Sequence, residues 1–206
     1  MKYVENTLSI VFVGDFNRKY INFDWLSKNV FKESSIEMGV SIQDEQATIS
    51  YGVDDIIIIP NQKKIVFQIK GMNDNKLEHF SECVCSFLNN IPERLISAYG
   101  INSNYTEEDT LLISKEIDSL DSQKGLVRNG FNLLGMTSRR QIEKKDIIYN
   151  ISISTNTNMT SISINEDYQG IKENPKINKE TFIKHFERTK EIIESFGFIM
   201  EESEDE

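Results

Sequence analysis

Residues 75–104, NKLEHFSECVCSFLNNIPERLISAYGINSN, decide the fold because they place one long helix directly before a strand. Asn75 is a suitable N-cap, and Pro92 ends the helix at Ile91, since a proline disfavours the helical conformation of the residue before it. Arg94 to Asn102 then predicts a strand. Apolar residues recur in the helix at intervals of three and four, as in a helix buried on one face: Leu77, Phe80, Val84, Phe87, Leu88 and Ile91.

Strand-forming segments precede this helix. Leu8 to Val13 is an apolar, β-branched run that predicts a buried strand, and Asn22 is placed to cap a short helix after it. From Ile36 to Gly71, four β-rich runs are separated by Gly, Asp, Asn or Gln, which predicts an antiparallel meander. The unbroken run Ile56 to Ile59 indicates a strand that is covered on both faces.

The second half of the chain repeats this order of elements. Three strands are predicted at Phe131 to Ile142, Ile147 to Thr155 and Thr160 to Tyr168, and a helix follows from Asn178 to about Phe196. The helix has an apolar stripe at helical spacing, formed by Phe182, Phe186, Ile193 and Phe196.

A polar break separates the two halves. Thr106, followed by three acidic residues, predicts the N-cap of a further helix, and residues 121–125 then interrupt the pattern. We therefore predict an α+β fold in a single domain, with pseudo-repeated halves at about 1–121 and 122–200 and an acidic tail at 201–206. Two antiparallel meander-plus-helix halves form a twisted sheet with the helices on one face.

Composition limits the classes of partner. The chain has 206 residues, with 33 Asp and Glu against 23 Lys and Arg, and a formal charge of −10. This charge opposes attraction to nucleic acid phosphates and to anionic membranes. We therefore expect a protein partner, and neither a nucleic acid nor a membrane. The first sixteen residues do not have the pattern of a signal sequence, which predicts a cytoplasmic location.

The cysteines and histidines do not predict a metal site or a cofactor. His79 and Cys83 lie at i and i+4, but a structural zinc needs four ligands, and His185 belongs to a different helix. Cys83 and Cys85 point about 200° apart on a helix, so they cannot readily form a disulfide with each other. We expect both to be reduced thiols at the edge of the apolar stripe.

Asp15 and Asn17 follow the first strand in the sequence VGDFN. A carboxylate at the end of a strand is a common position for a catalytic acid. The alternative is a tight turn held by the Asp15 or Asn17 side chain. Asn102, on the strand after the long helix, has the same two interpretations.

Serines alternate with isoleucines in the strands NISIST and TSISIN. Because successive side chains of a strand point to opposite faces, one face of this hairpin is predicted to be apolar and buried, with Ile151, Ile153, Ile162 and Ile164. The other face is small and polar, with Ser152, Ser154, Ser161 and Ser163. This polar face is either simply exposed to solvent or a concave surface that binds a helix or strand of a partner.

Residues 131–136, FNLLGM, also suggest an interface. The strand that they begin carries its charge at one end, on Arg139 and Arg140, so its apolar part is an unguarded sheet edge. We predict a two-fold homodimer through a sheet edge or an apolar strand face of the second half.

Two short motifs, VFVGDFN at 11–17 and AYGIN at 98–102, resemble those of a group of uncharacterised bacterial proteins of similar size. In that group, the first strand enters a GDFN-type turn, and a GIN-type motif lies on the strand that follows a long central helix. The resemblance implies a bacterial, cytoplasmic α+β protein, and no activity comes with it.

The function predicted from these features is that of a non-catalytic, cytoplasmic protein-binding or regulatory protein, such as an immunity, antitoxin or phage-defence accessory component. One alternative is a small enzyme with a carboxylate site at Asp15, assisted by Asn17 or Asn102. Another is an acidic inhibitor that mimics DNA. A pocket converging on Asp15 favours the enzyme, and rows of carboxylates at phosphate-like spacing favour the mimic.

Overall fold

The computed structural model describes residues 1–17, 22–33, 35–43, 46–108, 135–156 and 158–201. Within these residues, ten strands form one open antiparallel sheet and three helices accompany it, which confirms the predicted α+β class. The strands are β1 (Lys2–Tyr3), β2 (Ser9–Gly14), β3 (Glu37–Gln43), β4 (Gln46–Val53), β5 (Ile56–Pro60), β6 (Lys64–Ile69), β7 (Ile96–Glu107), β8 (Gly135–Lys144), β9 (Ile147–Asn156) and β10 (Thr160–Gln169). The helices are α1 (Phe23–Leu26), which continues as one π-helical turn over Ser27–Phe31, α2 (Asp74–Asn90) and α3 (Lys179–Ser195).

The order of the strands shows how the two halves are joined. Across the sheet it is β3-β4-β5-β6-β2-β7-β10-β9-β8, and β1 pairs with the end of β7. In each half, the last strand of the meander pairs with the strand that precedes the meander, so β6 lies beside β2 and β10 lies beside β7. β2 and β7 pair with each other in antiparallel orientation at the centre. Two meander-plus-helix halves therefore share one continuous sheet.

Both long helices cover the same face of this sheet. The ring centroids of Phe80 on α2 and Phe182 on α3 are 5.1 Å apart. α2 buries the predicted stripe in the core, where Phe87 contacts Phe12 of β2 and Phe67 of β6. It ends at Asn90, one residue before the Ile91 that precedes Pro92. On α3, Phe182 and Ile193 are buried, together with the polar His185 and Thr189.

Two predicted helix starts differ from the structure. The N-cap of α2 is Asn73 instead of Asn75, because the extended Asn73 places its side-chain oxygen 2.9 Å from the backbone nitrogen of Lys76. Thr106 does not begin a helix, since it pairs with Lys2 on one side and with Ser161 on the other as part of β7. Strand pairing on both sides outweighs a local capping signal.

Some predictions fall on residues that the structure does not describe. Residues 109–134 lie outside the described ranges. They include the polar break at 121–125 and the first four residues of the predicted strand 131–142.

Of the run 56–59, Ile56 and Ile58 are buried, whereas Ile57 and Ile59 are half-buried on the face that bears no helix. None of the described helices has the length and the apolar character needed to cross a membrane.

Candidate functional site

The sheet face opposite the helices carries a regular array of polar side chains in the second half. The four isoleucines of β9 and β10 that were predicted to face the core are at most 3% exposed. Their serine neighbours point to the other side and are half-buried or exposed. The alternation predicted from the sequence is therefore present, and we call this second side the helix-free face.

One row of side chains on this face consists of carboxamides. The strand register aligns Gln141 with Asn150, Asn150 with Asn165 and Asn165 with Asn102. The side-chain nitrogen of Gln141 donates to Asn150 at 2.9 Å, that of Asn150 to Asn165 at 3.1 Å, and that of Asn165 to Asn102 at 2.8 Å. Asn102 in turn donates to the Ser9 hydroxyl at 3.2 Å. We call Gln141, Asn150, Asn165 and Asn102 the carboxamide row.

The carboxamide row keeps hydrogen-bonding capacity for a ligand. A carboxamide has two N–H donors and an oxygen with two lone pairs. Asn150 and Asn165 each use one donor and one lone pair along the row. Each therefore has one N–H and one lone pair beyond those bonds, and the hydrogen bonds between neighbours hold the amide planes in fixed orientations.

Two further rows run parallel to the first, two and four residues farther along the strands. The register defines the second row as Arg139, Ser152, Ser163 and Asn104, and the third as Thr137, Ser154, Ser161 and Thr106. We call the three rows together the polar grid. The first two rows line a concavity of about 580 Å³. Of the twelve side chains in the grid, Arg139 alone is charged.

The grid unites most of the predicted binding residues. It contains Asn102, Ser152, Ser154, Ser161 and Ser163 on one surface. Sequence reasoning missed the other members of the carboxamide row, although Asn150 and Asn165 continue the polar alternation of NISIST and TSISIN by one step. The strand register that aligns them with Asn102 is not visible in the sequence.

Asp15 and Asn17 lie elsewhere. The side chain of Asp15 is 84% exposed and accepts a hydrogen bond from Lys63 at 2.9 Å. It follows the far end of β2, and six strand residues separate it from the level of Asn102, a distance of about 20 Å. Asn17 is exposed in the same connection. The structure therefore does not bring Asp15 together with Asn102.

The first half of the helix-free face carries a group of neighbouring apolar side chains. Val11 pairs with Val66, and Val66 pairs with Ile59, so the three side chains form a row across β2, β6 and β5. Ile57 lies beside this row, and Val13, at one end of it, is 42% exposed. We call these five residues the apolar patch; they lie on the same face as the polar grid, next to it in the sheet.

A second polar cluster lies on the other face, under α3. Glu166 of β10 is fully buried, and its two carboxylate oxygens accept hydrogen bonds from Arg188. Burial on its own raises the pKa of a carboxyl, but the hydrogen bonds from Arg188 and the proximity of His185 outweigh it, and the pKa of Glu166 lies below its ordinary value. Glu166 is therefore ionised at neutral pH.

The same cluster continues through His185 to a buried serine. The Nδ1 atom of His185 is 3.3 Å from Glu166, and its Nε2 atom is 2.9 Å from the Ser103 hydroxyl. Ser103 donates to Tyr105, whose hydroxyl is 2.6 Å from that of Thr189. This order of serine, histidine and carboxylate is that of a hydrolase triad.

The buried cluster does not have the exposure that catalysis requires. Ser103, His185 and Glu166 are each 0% exposed, and a nucleophile must contact its substrate. The Nδ1 atom of His185 also lacks an aligned hydrogen bond. We therefore interpret the cluster as a structural network that fixes α3 on the sheet. Sequence reasoning missed it, although polar residues at core positions of α3 are the signal.

The cysteines provide no second site. Cys83 is buried and Cys85 is half-buried, and neither forms a disulfide. Burial raises the pKa of the Cys83 thiol to about 12, so its reactive thiolate form is disfavoured. Among the residues that the structure describes, no group of three or more His, Cys, Asp or Glu side chains is arranged to hold a metal ion.

Comparisons with known proteins leave the function to be argued from this geometry. No protein-family model matches the chain, and no curated protein is significantly similar to it in sequence.

Proposed function

We propose that this protein acts by binding a protein partner on the helix-free face. The observation that carries the proposal is the carboxamide row, in which ordered amide groups on four adjacent strands keep donors and acceptors for a ligand. The mutual hydrogen bonds fix these groups before a partner arrives, which lowers the entropic cost of binding.

The chemistry of the face favours a protein over a nucleic acid. A nucleic acid surface needs several Lys or Arg side chains for phosphates, but the polar grid has the single cation Arg139. Protein interfaces combine an apolar area with polar groups that form hydrogen bonds. The helix-free face has this combination, because the apolar patch lies beside the grid. The grid also holds no carboxylate, so it does not imitate the phosphates of DNA.

The spacing of the rows fits an extended polypeptide. Successive rows are two residues apart along each strand, about 6.6–6.8 Å. An extended partner segment lying along the strands repeats its backbone N–H and C=O groups at the same two-residue interval. The unused groups of Asn150 and Asn165, with the serine hydroxyls of the next two rows, are positioned to bond such a segment.

A protein of this kind acts by covering the surface of the partner to which it binds. We place this activity in the bacterial cytoplasm, the setting that the sequence predicts, and we propose a regulatory role of the immunity, antitoxin or phage-defence type. The exposed position of Asp15, which is bonded only to an exposed Lys63 in the described chain, does not add support for an enzyme.

Photo-crosslinking tests which face binds. A photoreactive phenylalanine replaces Ser163 in the grid, and a control chain carries it at the exposed Glu187 of α3 on the opposite side. After irradiation in extracts of the native host, we expect the Ser163 position to capture one defined protein and the Glu187 position not to capture it. Capture of the same protein from the Glu187 position alone rejects the helix-free face.

The captured protein then allows a quantitative test by calorimetry. The double substitution Asn150→Ala and Asn165→Ala removes two ordered hydrogen-bonding groups, each worth about 1 kcal/mol, so we expect affinity to fall roughly 30-fold. Glu187→Ala serves as the matched control and should leave affinity unchanged. An unchanged affinity of the double variant, with its circular dichroism spectrum intact, contradicts the proposal.

A further inference from the structure

The two edges of the sheet differ in their protection. In the described chain, β3 pairs with β4 alone, and β8 pairs with β9 alone, so each leaves one side of its backbone unpaired. β8 carries four charged residues, Arg139, Arg140, Glu143 and Lys144. β3, EMGVSIQ, has Glu37 as its one charge and contains no proline. Charges and prolines are the usual means by which an edge strand avoids pairing with another chain, and β3 lacks this protection.

The hairpin of β3 and β4 also exposes apolar side chains. Met38, Val40 and Ile42 are 62%, 60% and 75% exposed, and Ile49, which pairs with Val40, is 43% exposed. They point to the helix side of the sheet, since Met38 pairs with the buried Tyr51. We call Met38, Val40, Ile42 and Ile49 the apolar strip. An exposed group of this kind beside a free edge is typical of an interaction surface.

We propose that β3 pairs with β3 of a second copy, in antiparallel orientation about a two-fold axis at Val40. The two sheets then form one continuous sheet, with the helices of both copies on the same side. The apolar strips of the two copies become neighbours, and the interface is isologous, with the same surface used by both chains.

The sequence of β3 is complementary to itself in this register. Met38 lies opposite Ile42 of the second copy, and Val40 lies opposite its own equivalent, so the helix side has only apolar cross-strand pairs. Glu37, the one charged residue of β3, does not lie opposite its own equivalent in this register. No like charges meet, and Gly39 and Ser41 are small enough for close approach on the other face.

The β8 edge is not complementary to itself in this way. A two-fold antiparallel pairing of β8 near its centre has its axis at Arg139 or at Arg140, and each choice places an arginine opposite its own equivalent. Like charges directly opposite each other are destabilising. A second copy is therefore favoured at β3 and disfavoured at β8. This dimer leaves the polar grid accessible, since the grid lies on the strands farthest from β3.

Light scattering after size exclusion tests the proposal with two matched variants. We expect the wild-type chain at micromolar concentration to have twice the 23.8 kDa mass of one chain. Val40→Lys places two ammonium groups opposite each other at the two-fold axis and should raise the dissociation constant at least roughly tenfold. Ile142→Lys makes the same kind of change at an exposed position of the β8 edge and should leave the dimer intact. A monomeric wild type, or a dimer that Ile142→Lys dissociates and Val40→Lys does not, overturns the proposal.

Cross-linking tests the register. Opposite residues of an antiparallel pair have Cα atoms about 4.5–5.5 Å apart, a distance that a disulfide can bridge. In a Cys85→Ser background, we expect oxidation to cross-link Val40→Cys chains in pairs and to leave Ile142→Cys chains single. Pairing by Ile142→Cys chains alone, or a β3 edge that binds only strands of other proteins while the chain stays monomeric, overturns the proposal.

Discussion

Glu166 and Arg188 form a bidentate ion pair that joins the sheet to α3. The Nε and Nη2 atoms of Arg188 donate to the two carboxylate oxygens of Glu166 at 2.7 Å each. Glu166 is fully buried, whereas a quarter of the Arg188 side chain is exposed. The arginine therefore compensates a carboxylate that has lost its water, and a planar guanidinium provides the geometry for both bonds.

Removal of the arginine should be costly. Arg188→Met keeps most of the side-chain volume but leaves a buried carboxylate without its cation, and breaking such a pair costs about 3–5 kcal/mol. We expect the free energy of unfolding to fall by an amount near the lower end of this range, since Arg188 is partly exposed. Urea denaturation measures it. Lys184→Met on the same helix breaks only an exposed pair with Glu180 and should cost less than about 0.5 kcal/mol.

The pH dependence of stability should depend on Glu166. Its pKa in the folded chain lies below the ordinary 4.5, because Arg188 and His185 outweigh the effect of burial. Ionised Glu166 therefore stabilises the fold fully above pH 4.5, and this contribution is lost as pH falls through the lower folded pKa.

Glu166→Gln tests this dependence. The free energy of unfolding of the wild type should exceed that of the variant by a constant amount near neutral pH, and the difference should shrink below pH 4.5. Urea titrations from neutral to acidic pH measure both chains. If the difference in free energy of unfolding between the two chains stays constant into the acidic range, the prediction is wrong. The acid sensitivity then belongs to other carboxylates.

Ser103 should be a structural residue. Ser103→Ala leaves the buried Nε2 atom of His185 without its partner at 2.9 Å. An unsatisfied buried polar group costs about 1–3 kcal/mol, so we expect a loss of this size in urea denaturation. Ser163→Ala, at an exposed position of the grid, should change stability by less than about 0.5 kcal/mol. Equal effects of the two substitutions contradict a structural role for Ser103.

Gly100 should control the carboxamide row from outside it. A Cβ atom at this position lies 2.6 Å from the side-chain nitrogen of Asn165 and 3.2 Å from the backbone oxygen of Glu166. Gly100→Ala should therefore displace the Asn165 amide and break its bonds to Asn102 and Asn150.

Side-chain amide signals in nitrogen-edited NMR spectra report this displacement. We expect the signals of Asn102, Asn150 and Asn165 to shift in Gly100→Ala. Gly52→Ala serves as the control, because Gly52 lies on β4, away from the row, and its added Cβ meets the Ile56 carbonyl of β5. Unshifted Asn signals in Gly100→Ala indicate that the amides of the row are not mutually bonded.

Local patterns predicted most of the elements because they depend on residues close in sequence. The stripe from Leu77 to Leu88 and the stop at Pro92 give α2 to within two residues at each end. The prediction of a helix N-cap at Thr106 was wrong because contacts between distant residues decided the structure there. A capping signal is local, but pairing of Thr106 with Lys2 and Ser161 joins residues far apart in the chain.

The candidate site likewise has one feature that a local pattern predicted and one that it did not. Alternation in NISIST and TSISIN determined that the serines share one face, since side chains of a strand alternate whatever the strand pairs with. The carboxamide row required the register of four strands, because Gln141, Asn150, Asn165 and Asn102 meet only when β8, β9, β10 and β7 align.

By itself, the sequence determined the class of the fold, the long helices and the polar face of the last hairpin. The tertiary structure alone decided three things: that β2 and β7 join the halves, that Asp15 lies far from Asn102, and that β3 is an unguarded edge. The physical reason is that burial patterns have a short period along the chain. Strand order, and the register of pairs such as β2 with β7 and β7 with β10, depend instead on contacts between distant segments, which leave no periodic pattern in the sequence.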